Sequence, residues 1–195
     1  MKGVLFLLPV YLLSVAAKVI LALGVPTPSA YLDEYIYTAM AQSFLRVEPF
    51  VFLGQWNWYP PLYSLTLMPA LAFKDMEVTY MIMKTINSLI LSSLIFPAWF
   101  LSREFFNQRQ SIVIALLTAL MPLSNTYPAY LVAENLFIPI FLLSLYLILK
   151  TALHGGLRWK VLCGVFIGLC YLTKLTGLAL IVVAILTLIF KPNSA

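Results

Sequence analysis

An all-α membrane fold is predicted by three features of this sequence. Hydrophobic residues make up 63% of its 195 positions and charged residues only 10%. The mean hydropathy is +0.98, and the apolar residues are gathered into runs near or above the ~20 that cross a bilayer as helix. A soluble domain of this size leaves too much surface in water to hide so much apolar side chain. Barrel strands are excluded because they alternate polar and apolar positions, which these runs do not. The expected architecture is a polytopic helical bundle of about six spans, with two interfacial helices in a first extracytoplasmic loop over residues 25–77.

The first run, Val4 to Leu23, follows Lys2 and has the look of a signal peptide, with Val15-Ala16-Ala17 as a small-residue cleavage site. Lys18, however, is followed by five further apolar residues before Gly24, which predicts an uncleaved first span. Breakers and charges then place spans at 4–24, 78–101, 110–123, 130–150, 160–173 and 176–190. The last two are short for a ~30 Å hydrocarbon core. Thr173-Lys174-Leu175-Thr176-Gly177 between them predicts a tight hairpin turn rather than one long helix.

Charge gives the orientation. With a cytoplasmic N-terminus, Lys2, Arg103, Arg109, Lys150, Arg158, Lys160 and Lys191 fall inside, against Arg46, Lys74 and Lys174 outside. This obeys the positive-inside rule, and it accounts for the basic excess without nucleic acid. Trp99 and Trp159 then take the inner interface. Of the acids only Glu104 lies inside; Asp33, Glu34, Glu48, Asp75, Glu77 and Glu134 collect at the outer face, where carboxylate chemistry is therefore expected. Cys163 and Cys170 share one helix face about 10 Å apart, too far for a disulfide.

The outer loop is the one long non-spanning region, and long structured loops are usually functional. After Pro26 and Pro28, the spacing of Ile36, Ala39, Met40, Ser43, Phe44 and Val47 predicts an interfacial helix with one apolar face. A second helix is expected from Pro60-Pro61 toward Ala72, since proline suits a first turn. Ten aromatics fall between Tyr31 and Tyr63. They read either as an interfacial belt or as the walls of a cleft for sugar rings and isoprenoid chains.

Four segments carry a family resemblance. Asp33-Glu34-Tyr35-Ile36-Tyr37-Thr38-Ala39-Met40-Ala41 resembles the DE motif of the GT-C glycosyltransferases, above all the protein O-mannosyltransferases and the lipid A aminoarabinose transferases. Trp58-Tyr59-Pro60-Pro61-Leu62-Tyr63 resembles their yPPly segment, and Tyr130 to Phe137, with Glu134, their acidic sE-lf motif. Gly168 to Lys174 resembles their G-la-ltK signature. Ala133 stands where the family often has serine, and family enzymes usually continue through further spans, so the chain is read as the N-terminal part of a larger unit. A second chain supplying the remaining spans is among the expected partners.

The resemblance implies inverting transfer of a sugar from a polyprenyl- or dolichyl-phosphate carrier to a protein, lipid or glycan acceptor. It implies an integral protein of the plasma membrane or endoplasmic reticulum. A carboxylate must take a proton from the attacking hydroxyl, and positive charge must face the departing phosphate. Asp33 is the candidate base, with helix N-capping as its competing role. Glu34 and Glu134 are supporting acids; Glu134 also suits a helix N-terminus. Lys174 leads for the phosphate, followed by Lys84, whose stripe with Asn87, Ser88 and Ser92 reads equally as helix glue. Arg46, beside Glu48, and the rings of Tyr59 and Tyr63 complete the substrate-binding candidates. Any divalent cation (Mg²⁺, Mn²⁺ or Ca²⁺) would rest on oxygen ligands, with Asp33 and Glu134 first. The rival readings are a non-catalytic or truncated membrane subunit, and a small secondary transporter, which would place charges near midplane.

Overall fold

The computed structural model describes residues 2–29, 31–49, 51–52, 55–56 and 59–189. It is a helical bundle of ten α-helices among these residues. The first, α1 (Lys2–Leu23), accommodates Pro9 internally. The outer-loop helix α2 (Leu32–Leu45) follows. Next come a two-residue strand pair, β1 (Val51–Phe52) against β2 (Gln55–Trp56), antiparallel with Val51 opposite Trp56, and then α3 (Leu62–Leu67), which tightens into a 3-10 turn over Met68–Ala72. The strand pair was not expected from the sequence. The proline-initiated second loop helix was.

Helix α4 (Met76–Ser92) starts where the Asp75 side chain accepts from the Val78 amide. Together with α5 (Ile95–Ser102) it makes a 27-residue apolar span, Met76–Ser102. Helix α6 (Gln108–Leu120) opens with a capping box between Asn107 and Gln110, so two otherwise orphaned donors are satisfied. It stops before Pro122, and α7 (Pro122–Thr126) leaves at a 55° bend. Proline has no amide hydrogen to continue the ladder. The long helix α8 (Glu134–His154) ends at left-handed Gly155 (φ 67°). Helices α9 (Leu157–Thr173) and α10 (Leu178–Ile189) complete the described chain.

Among the described residues, three helices are long and apolar enough to cross a membrane, or four if the bent α6–α7 pair counts as one span. The expected count of about six is not confirmed, because α9 and α10, with 17 and 12 residues, are each short of the thickness. The expected hairpin is present. Cys163 and Ile167 of α9 share a cluster with Leu180 of α10 and with Leu147 and Ile148 of α8. The turn is tight enough that a Cβ on Gly177 would lie 2.7 Å from the backbone of Cys170 and Tyr171, so only glycine fits.

The two lysines buried among the spans are satisfied, as a low-dielectric interior requires. Lys18 donates to the Ser14 hydroxyl at 2.7 Å and to the carbonyl of Ala119, freed by the break before Pro122, at 3.3 Å. Lys84 donates to the carbonyls of Ala22 and Val25 at 3.0 and 2.5 Å, closing the C-terminal end of α1.

Candidate functional site

Helix α2 packs over one end of the bundle against α3 and the turn that follows it, burying Ile36, Tyr37, Met40 and Ala41. Val47, expected on the same apolar face, is instead 92% exposed. It adopts φ 56° just past the helix end, where the Glu48 amide reaches Ser43 O at 3.0 Å and the Val47 amide reaches Phe44 O at 3.1 Å. This is the Schellman geometry, in which glycine is usual at the left-handed position.

Asp33 does not cap α2; the N-cap position is held by Tyr31, with no side-chain cap bond. Asp33 lies one residue inside the first turn, partly exposed, with the Tyr59 hydroxyl donating to its Oδ1 at 3.3 Å. Its neighbour Glu34 turns the other way and is only 1% exposed. Oε2 of Glu34 accepts from the Ser29 amide at 2.7 Å and from the Ser29 hydroxyl, while its Oε1 has no protein partner. The two acids of the DE pair are therefore divided, one toward the open end and one into the packing.

Glu134 heads α8, where the helix dipole favours a carboxylate. The preceding segment is pinned by two asparagines. Asn135 donates to the carbonyls of Tyr127, Tyr130 and Val132 at 3.0 to 3.1 Å, and Asn87 of α4 donates to Tyr130 O at 3.1 Å. Asn87 in turn accepts from the buried Tyr63 hydroxyl at 3.0 Å. Tyr63 is thus a strut beneath the site, binding α3 to α4. Lys174, which leaves α9 in an extended conformation, brings its ammonium onto Glu134. The pair keeps 36% of the lysine side chain and 24% of the glutamate exposed.

Tyr37, which the sequence reading did not single out, connects the two halves. Burial first, then the Asp33 and Glu134 carboxylates, hold its phenol above the ordinary value. Burial and Asp33 do the same for Tyr59. The ring of Tyr37 meets those of Tyr59 and Tyr63 edge-on, with centroids 5.5 and 5.0 Å away. An i, i+4 relation from Asp33 on an outer-loop helix was the available signal. Asp33, Tyr37, Tyr59, Glu134 and Lys174 therefore form one acid-bearing end: two carboxylates, two phenols and one ammonium.

The remaining candidates lie apart from this group. Lys84 faces a cleft of about 700 Å³ between the end of α1 and the start of α4, lined also by Pro26, Pro28, Met76 and Tyr80. Arg46 is exposed at the C-cap of α2 and makes no ion pair with Glu48. Trp58 lies outside the described residues. Among the described residues no three His, Cys, Asp or Glu side chains converge as a metal-ligand set. Of the two acids considered as ligands, Glu134 already carries the Lys174 ammonium where a cation would sit.

Apolar spans with the paired Glu134 and Lys174 at one end define the class: a helical integral membrane protein. The family model of dolichyl-phosphate-mannose-protein mannosyltransferases matches residues 59–195. The chain belongs to that family of membrane glycosyltransferases. Tyr59, Tyr63, Lys84, Glu134 and Lys174 lie within the matched region, and Asp33 and Glu34 precede it. No curated protein and no solved structure matches the chain.

Proposed function

We propose that this chain transfers a sugar from a polyprenyl-phosphate donor to an acceptor hydroxyl at the extracytoplasmic membrane face, with inversion. The observation that carries the reading is the gathering of Asp33, Tyr37, Glu134 and Lys174 at one end of an otherwise apolar bundle. Asp33 accepts the acceptor's proton as its oxygen attacks the anomeric carbon. The bond from that carbon to the lipid phosphate breaks, and the phosphate leaves with the electron pair. Lys174 stabilises the charge that grows on it.

Glu134 holds the lysine in place through their ion pair, and the Tyr59 hydroxyl orients the Asp33 carboxylate. Glu34 and Lys84 act in this reading as supports, through Ser29 and the end of α1 respectively. The cleft of about 700 Å³ beside Lys84 combines apolar walls, among them Leu23, Val25 and Met76, with polar Thr27 and Glu77, which suits the junction of a lipid tail and its head. No step requires a divalent cation, because the Lys174 ammonium supplies the positive charge.

The test supplies membranes carrying the chain, or its Asp33→Asn variant, with labelled polyprenyl-phosphate sugars and lysate acceptors. Loss of sugar from the carrier that depends on Asp33 is the expected result. No loss, with normal expression and insertion, would refute catalysis by this chain.

A further inference from the structure

At the end of the bundle opposite Asp33, helices α8, α9 and α10 enclose a slot of about 230 Å³. Its walls are Ile148, Cys163, Gly164, Ile167 and Ala184, with Lys160 on its lining. Lys160, Cys163, Gly164 and Ile167 recur at helical spacing, so one face of α9 forms a wall about 10 Å long. Gly164 leaves that wall open: a Cβ built there meets nothing within 4 Å. The threonine hydroxyls of the slot, Thr151 and Thr187, are bonded to carbonyls of their own helices. They leave the interior with no free polar demand. It is shaped for a hydrocarbon chain.

Charge selects the head that accompanies such a chain. Glu104 is the one acidic side chain at this end among the described residues, and it is neutralised by Lys150 at 2.9 Å. Lys160 is exposed and its ammonium has no hydrogen bond or ion pair to a described residue, and Arg158 and Arg109 add to the positive field. Trp159, between Arg158 and Lys160, lies within cation–π range of Arg158 and Lys150, 5.7 and 5.9 Å from their charged groups. A tryptophan beside exposed cations at the end of a span suits the headgroup level. Basic pockets between spans are suited to anionic lipid heads.

The geometry points to a binding site for one anionic phospholipid: an acyl chain lies in the α8–α10 slot and the phosphate contacts Lys160. The site is independent of glycosyl transfer, and its test needs no substrate. The full chain is purified in detergent with equimolar phosphatidylglycerol and phosphatidylcholine of matched chains, and retained lipid is counted by native mass spectrometry. Phosphatidylglycerol is expected to be retained in preference. Lys160→Gln, a surface change, should reduce that preference about fivefold, the worth of one cation near an anionic head. Gly164→Phe should abolish retention of both lipids by filling the slot, while Lys74→Gln at the other end should alter neither.

Equal retention of the two lipids, or retention indifferent to Lys160→Gln and Gly164→Phe, would overturn the site. So would a Gly164→Cys variant that cross-links to a second copy or to another segment of the chain, since protein would then occupy the slot.

Discussion

In the helix interior, Lys18 and Lys84 are 1% and 3% exposed, and their ammonium groups end on carbonyl oxygens and a serine. At the acid-bearing end Lys174 stays 36% exposed and meets a carboxylate. One residue type thus serves two purposes. A buried ammonium surrounded by backbone carbonyls closes helix ends and holds spans together; it is part of the scaffold. In the proposed transfer, a partly exposed ammonium on a partly exposed acid exchanges partners with the arriving phosphate. Burial and the kind of partner, rather than depth in an apolar run, separate the two.

That contrast is sharpened most by activity. Asp33→Asn should lower turnover by about 10²–10⁴ while leaving insertion and thermal stability unchanged, as a general-base loss does. Lys174→Gln should cost about 10²–10³ in turnover, the scale of one lost charge-stabilising donor. Single-turnover kinetics on both variants would check this. Lys84→Met should act on stability instead, by about 1–3 kcal/mol for the Val25 carbonyl left unpaired, since the Ala22 carbonyl still accepts the Val25 amide. A melting curve in detergent reads it. If Lys84→Met melts like the parent but abolishes donor binding, the division between scaffold and site is wrong.

Smaller effects follow from the phenols. Tyr37 and Tyr59 have raised folded-state values, burial being the first cause. Their contribution to stability is full below the unfolded value of about 10. It is lost as pH rises above it toward the folded values, because the unfolded chain then releases protons more readily. Alkaline unfolding should begin near pH 10, and Tyr37→Phe should move it upward. The smallest expected change is Val47→Gly, a gain of about 1 kcal/mol from relieving the left-handed backbone at an exposed position.

The sequence made the spans legible where length and punctuation were decisive. Lys174 and Gly177 announced the α9–α10 hairpin, and Pro60-Pro61 the helix at 62–67. The span placed at 110–123 ran through Pro122, and neither the break there nor the Ala119 carbonyl it frees for Lys18 was foreseen. Periodicity carried the apolar face of α2 one turn too far, because a three- and four-residue pattern does not reveal that Val47 lies in a left-handed turn. The candidate residues could be picked out one by one from the sequence, their grouping less so. Nothing local couples Glu134 to Lys174, and the opposite facing of Asp33 and Glu34 depends on Ser29 being within reach. Tyr37 went unnoticed because its importance lies in two carboxylates that come from different elements.

The Glu134–Lys174 pair also limits which changes in length the chain tolerates. Its partners are 40 residues apart, joined down α8 and back up α9 through the turn at Gly155. Each residue of an α-helix advances the facing direction by about 100°. One residue inserted or removed in the upper part of either helix would swing one partner away from the other, while composition and hydropathy stayed almost the same. Related chains can thus vary widely in which apolar residues fill these helices. They have little freedom in how many there are between the acid and the base.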